Sequence, residues 1–290
     1  MTVVTLLQTA AGGILTGGVY ALIGIGLSLI FGVMRIVNFS HGELMAVGMY
    51  TAFVLFRHLG LDPYVSLLVV VPAGAALGVA VERLLLAPIA RAAEHTAILM
   101  TVGVGLILSN GLLFIFGAHP QTLLASYSTV TVRLGPITLS LPLLVSFALT
   151  VVVIAALYLL LTRTDVGRAI RATAQNRDAA ELQGIDTGWI RTAVFAIGTV
   201  LAMAAGVLLL PLLYVFPTVG SAFTLKAFVV TVLGGMGNVV GAIFGGLLLG
   251  LVESLGASFG ATNYRDAIGL VAFLLVLLVR PAGLFGRSRV

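Results

Sequence analysis

The densest group of polar side chains between two apolar stretches comprises Arg35, Asn38, Ser40, His41 and Glu43. Such groups beside long apolar segments often contact a polar solute, and this set could offer it both charge and hydrogen bonds. A structural role is equally open, because Ser40 and Glu43 have the spacing of a helix capping box and Arg35 can extend to a polar surface. His41 can titrate near neutral pH, although a single histidine more often makes a structural hydrogen bond.

The second candidate site is glycine-rich and reads Gly234-Gly235-Met236-Gly237-Asn238. It interrupts residues 226–256, a stretch longer than one membrane crossing requires. Glycine is unfavourable inside helices and permits irregular backbone, so we expect a short helix before the break and a full one after it. A broken helix offers free backbone groups to a passing zwitterion, which makes Gly235 and Asn238 candidates for a gate.

The third candidate is the longest polar segment, residues 163–191, which holds nine of the twenty-five charged residues. Asn176 is a favourable N-cap, residues 177–183 have the composition of two helical turns, and Gly184 suits the left-handed position that ends a helix. The segment therefore predicts a short, capped helix on the surface of the protein.

Two adjacent alanines, Ala179 and Ala180, give this short helix an unusual surface. With charged neighbours such as Asp178, they would present a small, smooth face suited to a groove in another protein, with ionic contacts at its rim. The alternative is an ordinary solvated connector between two apolar segments.

Several kinds of chemistry lack their residues in this sequence. The single lysine, Lys226, lies in no Gly-x-x-x-x-Gly-Lys-Ser/Thr sequence, so the phosphate-binding loop of an ATPase is missing. The four histidines have no metal-ligand spacing, and without cysteine there is no thiolate site. The arginines are dispersed, so the basic charge does not indicate nucleic-acid binding. We therefore expect no metal, no cofactor and no nucleic-acid partner.

The composition places these candidate sites in a membrane protein. Only 9% of residues are charged and 60% are hydrophobic, which a water-soluble core could not accommodate. The sequence predicts an all-α integral membrane protein, a polytopic bundle of eight or nine membrane segments in one domain over residues 1–290. Helices are expected near residues 8–33, 43–58, 63–82, 97–117, 139–161 and 192–215, on both sides of the glycine break, and near 264–280. Glycine pairs four residues apart, such as Gly13 and Gly17 or Gly246 and Gly250, predict close helix packing.

Arginine placement predicts the orientation, because cytoplasmic loops retain basic residues. If residues 163–191 lie inside the cell, alternation places Arg35 and the 83–91 loop inside, and the polar loop of residues 118–138 outside. Nine segments then bring the basic tail of Arg280, Arg287 and Arg289 inside, as the charge rule favours. Glu253 is expected to reach water near the end of its helix.

Five stretches of the sequence resemble one family. Residues 178–184, Asp-Ala-Ala-Glu-Leu-Gln-Gly, resemble the cytoplasmic loop, with Ala-Ala followed by Gly, of bacterial ATP-binding cassette (ABC) importer permeases. The other four are Gly18-Val19-Tyr20-Ala21-Leu22 with Gly32-Val33-Met34-Arg35-Ile36-Val37-Asn38-Phe39-Ser40-His41-Gly42-Glu43, Gly167-Arg168-Ala169-Ile170-Arg171-Ala172, Gly234-Gly235-Met236-Gly237-Asn238-Val239-Val240-Gly241-Ala242 and Arg280-Pro281-Ala282-Gly283-Leu284-Phe285-Gly286. In order and spacing they resemble the permeases of high-affinity branched-chain amino acid importers, and specifically the shorter of the two paralogous permeases.

The resemblance implies a permease subunit in the bacterial cytoplasmic membrane. It implies three kinds of partner besides the lipid bilayer: a paralogous permease, two ABC ATPase subunits and an extracytoplasmic amino-acid-binding protein. Residues 163–191 would then be a cytoplasmic coupling loop, with Asn176, Asp178, Ala179, Ala180 and Gly184 in the docking helix. Movement of this loop by the ATPases would alternate access to a pathway for a branched-chain amino acid.

Other functions remain open at the level of sequence. Relatives of this permease type carry urea, short amides or sugars, and the candidate residues do not separate these substrates. Outside the ABC class, the chain could be a stand-alone secondary transporter or a channel. The scarcity of charge inside the predicted helices disfavours that alternative, because such proteins place ionisable groups at mid-membrane.

Overall fold

The computed structural model describes residues 3–90, 92–123, 125–261 and 264–286, and these are mainly helical. Arg287 and Arg289, which contribute to the predicted basic tail, lie outside the described residues, as does Arg91. The helices are α1 (Val3–Met34), α2 (His41–Leu59), α3 (Leu67–Val81), α4 (Glu94–Phe116), α5 (Leu141–Arg163), α6 (Asp165–Gln175), α7 (Arg177–Leu182), α8 (Thr187–Leu209), α9 (Val219–Gly234), α10 (Val239–Gly256) and α11 (Arg265–Val279). Single π-helical turns, Glu82–Leu86 and Ala257–Ala261, extend α3 and α10.

Six of the described helices are long and apolar enough to cross a membrane by length and composition, namely Val3–Met34, Leu67–Leu86, His95–Phe116, Leu141–Arg163, Thr187–Leu209 and Val239–Phe259. The shorter α9 is also apolar. The predicted all-α, polytopic membrane protein is therefore confirmed. All nine expected helices form, but α2, α9 and α11 are shorter or more polar than the other six. The glycine break separates α9 from α10 where the sequence predicts it.

The centre of the bundle is α1, which packs against α8, α9 and α10. Glycines bring α1 and α10 into backbone contact. A methyl group placed on Gly17 would lie 2.7 Å from the Gly246 carbonyl oxygen, and one on Gly13 would lie 2.9 Å from that of Gly250. No side chain fits at such distances, so the predicted packing role of these glycines is confirmed.

Two elements depart from the predicted loops. Residues 118–138 contain β1 (Thr131–Leu134), which pairs antiparallel with β2 (Ile137–Ser140) through a turn at Gly135, where φ is +64°. The polar segment after α5 contains α6, whose N-cap Thr164 accepts a hydrogen bond from the Gly167 N–H at 3.0 Å. The helix α6 is strongly amphipathic, because an 11-residue helix places Gly167, Ile170 and Thr173 on one buried side.

Candidate functional site

Residues 35–40 turn back into the bundle after α1. Arg35 has a φ of +58°, the only positive value among the described non-glycine residues, and it reverses the direction of the chain. The Nε2–H of His41 then donates to the carbonyl oxygen of Ile23 at 3.0 Å. Ile23 lies about 16 Å back along α1 from Met34, close to half the thickness of a bilayer core. The helix α2 therefore begins deep inside the protein rather than at its surface.

This re-entrant segment is held by side chains of its own and of α4. The Phe39 N–H donates to Thr101 Oγ1 at 3.2 Å, and Asn38 Oδ1 accepts from both the backbone N–H and the hydroxyl of Ser40, at 3.0 and 2.6 Å. The predicted capping box of Ser40 and Glu43 is wrong. Ser40 has φ −84° and ψ 3°, outside the extended conformation that aims a capping hydroxyl at the helix, and its side chain makes no cap bond.

Three polar atoms of this cluster are buried without a partner among the described residues: Asn38 Nδ2, His41 Nδ1 and Glu43 Oε2. Asn38, Ser40 and His41 are fully buried, and only 7% of Glu43 is exposed. An unsatisfied buried polar group is destabilising, and a buried carboxylate more so, unless a partner meets it during function. The predicted group Asn38, Ser40, His41 and Glu43 is thus assembled at depth in the bundle.

The glycine-break residues lie elsewhere. Gly237 packs against Gly32, about half a helical turn before the end of α1 at Met34. Asn238 caps α10, since its Oδ1 accepts from the Gly241 N–H at 3.0 Å and its Nδ2 donates to the Phe285 carbonyl oxygen at 3.1 Å. The structure therefore does not bring Gly235 and Asn238 together with the re-entrant cluster, and their gate role stays a prediction.

The predicted docking helix forms as α7. Asn176 Oδ1 accepts from the Ala179 N–H at 3.0 Å, and Gly184 adopts a φ of +81° after the last turn. Both the N-cap and the left-handed glycine are therefore confirmed as local structure. The docking of α7 onto a partner stays a prediction.

The alanine face differs from its prediction. Ala180 is only 3% exposed and packs inward, whereas Ala179 faces solvent together with Leu182, which is 86% exposed. Adjacent residues on a helix point about 100° apart, so Ala180 turns into the bundle while Ala179 remains at the surface. The outward face of α7 instead combines Asp178, Ala179 and Leu182. An isolated leucine in a charged loop was the sequence signal for this apolar side chain.

Polar contacts tie the segment around α7 to the membrane helices. Arg191 Nε donates to Glu82 Oε1 at 2.8 Å, and the Thr192 hydroxyl donates to Glu82 Oε2 at 2.5 Å, joining the start of α8 to the end of α3. The Glu82 carboxylate is fully buried. Arg35 Nη2 donates to the Ala174 carbonyl oxygen at 3.2 Å, which joins the re-entrant segment to the end of α6. No local sequence pattern indicates the Glu82–Arg191 pair, because its two members lie far apart along the chain.

A second ionic cluster, centred on the buried Glu253, lies between α9, α10 and α11. Lys226 Nζ contacts the carboxylate of Glu253 and lies 2.7 Å from Asp266 Oδ1, and Arg265 Nε lies 3.2 Å from Glu253 Oε2. The expectation that Glu253 reaches water is wrong, because it is 1% exposed. The two acidic and two basic side chains of this cluster compensate each other's charges, which is typical of structural ionic contacts between helices. Among the described residues, no three His, Cys, Asp or Glu side chains converge as metal ligands.

Known proteins resemble the chain over almost its whole length. Residues 9–279 match the family model described as branched-chain amino acid transport system / permease component. The high-affinity branched-chain amino acid transport system permease protein BraD of Pseudomonas aeruginosa is 32% identical, over 98% of this chain and 97% of its own. LivH of Escherichia coli K12, with the same description, is also 32% identical, over 98% and 96%. A probable LivH of Methanocaldococcus jannaschii is 30% identical, over 95% and 91%. No solved structure matches the chain.

Proposed function

Because the chain belongs to the branched-chain amino acid transport permease family, we propose that it is the membrane-spanning permease subunit of an ABC importer. Its cargo is a branched-chain amino acid, which it carries across the cytoplasmic membrane. The observation that carries this proposal is the match over 98% of the chain to permeases named for that transport. The urea, short-amide and sugar alternatives are not favoured.

The relatives are named as permeases and not as enzymes, and the sequence has no phosphate-binding loop. We therefore assign ATP hydrolysis to two separate ATPase subunits. A second, similar permease completes the membrane pathway, and an extracytoplasmic binding protein delivers the amino acid. This division of labour leaves the chain with two tasks, a pathway for the substrate and a mechanical link to the ATPases.

The mechanical link is α7. Its outward face, Asp178, Ala179 and Leu182, offers one apolar side chain and one charge to a groove on the ATPase, which is how protein interfaces combine an anchor with a polar rim. Asn176 and Gly184 fix the two ends of the helix, so it can move as a rigid unit.

Displacement of α7 reaches the membrane helices by two routes. One runs from Glu181, hydrogen-bonded to Thr187, into α8 and through the Arg191–Glu82 ion pair to α3. The other runs from the end of α6 through Arg35 to the re-entrant segment. Because residues 38–43 follow Arg35 closely in the chain, movement of the coupling loop would shift the buried polar cluster.

The pathway passes the re-entrant cluster of Asn38, Ser40, His41 and Glu43. Non-helical backbone at membrane depth is tolerated only where protein covers it or where it lines a cavity. Three buried polar atoms of this cluster have no hydrogen-bond partner among the described residues, so a passing polar solute could bind them. We place Gly235 and Asn238 near the inner end of the same pathway, beside the end of α1.

Transport by the reconstituted complex tests the proposal. The complete importer is placed in vesicles, and uptake of labelled leucine is compared with uptake by this chain alone, with and without ATP. We expect ATP-dependent uptake that requires every subunit. Uptake by the isolated chain without ATP would instead support a secondary transporter. ATP-dependent uptake of labelled ribose or urea, with none of leucine, would refute the assigned substrate.

A further inference from the structure

An open groove lies between α2, α4 and α9, beside the re-entrant cluster. Its volume is about 570 Å³, and its walls are mainly apolar, with Leu106 of α4 and Leu225 and Phe228 of α9 among the lining residues. Among the described residues that line it, Glu43 is the only one with an ionisable side chain. The groove thus combines an apolar surface with one carboxyl group.

The fold makes space for this carboxyl group. Gly220, at the start of α9, lies against the Glu43 carboxylate, and any side chain there would overlap with it. On the α4 side, a methyl group on Gly105 would lie 3.6 Å from Glu43 Cγ. Two helices therefore present glycines on either side of Glu43, and the first turn of α2 places Glu43 among the residues that line the groove.

No protein cation serves this carboxylate in the described part of the chain. Glu43 Oε2 is buried without a hydrogen bond, and no ion pair to Glu43 is present there. Lys226 of α9 is already held by Glu253 and Asp266, and the Nε2–H of His41 donates to the carbonyl oxygen of Ile23. Glu43 therefore differs from the other two buried carboxylates, Glu82 and Glu253, each of which has its own base.

The unpaired carboxyl group also restricts which surroundings the groove can face, lipid or the translocation pathway. An unpaired carboxyl group that lines an open groove is unfavourable against lipid, where ionisable side chains turn towards the protein interior or a water-filled cavity. The face formed by α2, α4 and α9 must then be turned towards the translocation pathway. Such a surface is expected where the second permease closes the pathway from the opposite side.

We infer that Glu43 receives the α-ammonium group of an amino acid as it passes, while the apolar walls of the groove receive its side chain. This inference rests on the proposed function and adds the recognition chemistry of the pathway. A transient ammonium partner would satisfy the carboxylate through a charge-assisted hydrogen bond. A sugar or urea carries no cation to do so, and a bare metal ion would require several more oxygen ligands.

The test replaces Glu43 by glutamine in the complete importer, because Glu43→Gln keeps the shape and removes the charge. We expect the maximal rate of leucine uptake to fall about tenfold or more, the effect of losing one hydrogen bond to a charged group. The half-saturating leucine concentration should change little, because the binding protein determines it. The temperature of thermal unfolding should stay equal or rise, since an unpaired buried charge has been removed. Glu43→Asp, which retains the charge, should recover part of the uptake.

Glu253→Gln is the matched control, because it neutralises a buried carboxylate that is paired. It should lower the unfolding temperature, and uptake per folded complex should fall less than with Glu43→Gln. Wild-type uptake by Glu43→Gln would overturn the inference and leave the proposed function intact. A joint fall of unfolding temperature and uptake in Glu43→Gln, without recovery in Glu43→Asp, would also overturn it, because Glu43 would then be structural. Absence of leucine uptake by the wild-type importer would refute the proposed function itself.

Discussion

Replacing Arg191 by methionine removes the cation of the ion pair that joins α8 to α3. Methionine retains most of the apolar length of arginine, so the change mainly removes charge and hydrogen bonds. Glu82 is fully buried and Arg191 is 15% exposed by side chain, so the carboxylate loses its partner in a site that water does not reach. Removal of one member of a buried pair costs about 3–5 kcal/mol of unfolding free energy. We expect a loss near 3 kcal/mol, because the Thr192 hydroxyl still donates to the other oxygen of Glu82.

The double variant Glu82→Gln with Arg191→Met separates the loss of pairing from the loss of shape. Without the carboxylate there is no buried charge to leave unpaired, so most of the stability should return. Unfolding in mixed detergent micelles gives the stability, and leucine transported per ATP hydrolysed gives the coupling. We expect Arg191→Met alone and Glu82→Gln alone to transport less leucine per ATP hydrolysed than the wild type. A single Arg191→Met variant as stable as the wild type, or a double variant no more stable than the single, would refute the assigned role of the pair.

Three further predictions concern the coupling helix and the packing of the bundle. Ala179→Leu should change the unfolding free energy by no more than about 0.5 kcal/mol but uncouple ATP hydrolysis from uptake. Ala180→Leu should destabilise the protein by about 1–3 kcal/mol, because the buried space around Ala180 has no room for a larger side chain. Unfolding and uptake assays on the two variants distinguish these effects. Gly184→Val, which forces a β-branched residue into a φ of +81°, should cost about 1–2 kcal/mol and reduce leucine transported per ATP. Gly17→Leu should prevent α1 from approaching Gly246 of α10 and abolish the folded protein in a detergent stability assay, whereas Gly12→Ala, which has open space around it, should be tolerated.

Local patterns in the sequence predicted local structure well. Long apolar runs predicted all six described helices that are long and apolar enough to cross a membrane, and the glycine-rich break lies between α9 and α10 as expected. Asn176 and Gly184 identified the ends of α7, because capping depends on residues within one or two turns. The glycines of α1 and α10 indicated their contact, since close helix approach in a membrane requires small residues.

Features that depend on distant contacts were not predicted. The depth of the re-entrant segment is determined by the His41 contact with Ile23, and nothing in the local sequence specifies that partner. Ser40 was assigned to a capping box by spacing alone, but Asn38 competes for its hydroxyl. Glu253 was placed in water because its partner Lys226 lies on another helix.

The central claim, that α7 is the cytoplasmic helix that docks onto the ATPases, is tested most directly by crosslinking from Leu182. The chain contains no cysteine, so Leu182→Cys provides one unique attachment point for a photoreactive maleimide in vesicles holding the complete importer. Leu59→Cys, at the opposite end of the bundle and also exposed, is the control. The account predicts a product between position 182 and an ATPase subunit, and none with the ATPase from position 59. Labelling of position 182 from outside intact cells, or illumination that yields no ATPase adduct, would contradict it.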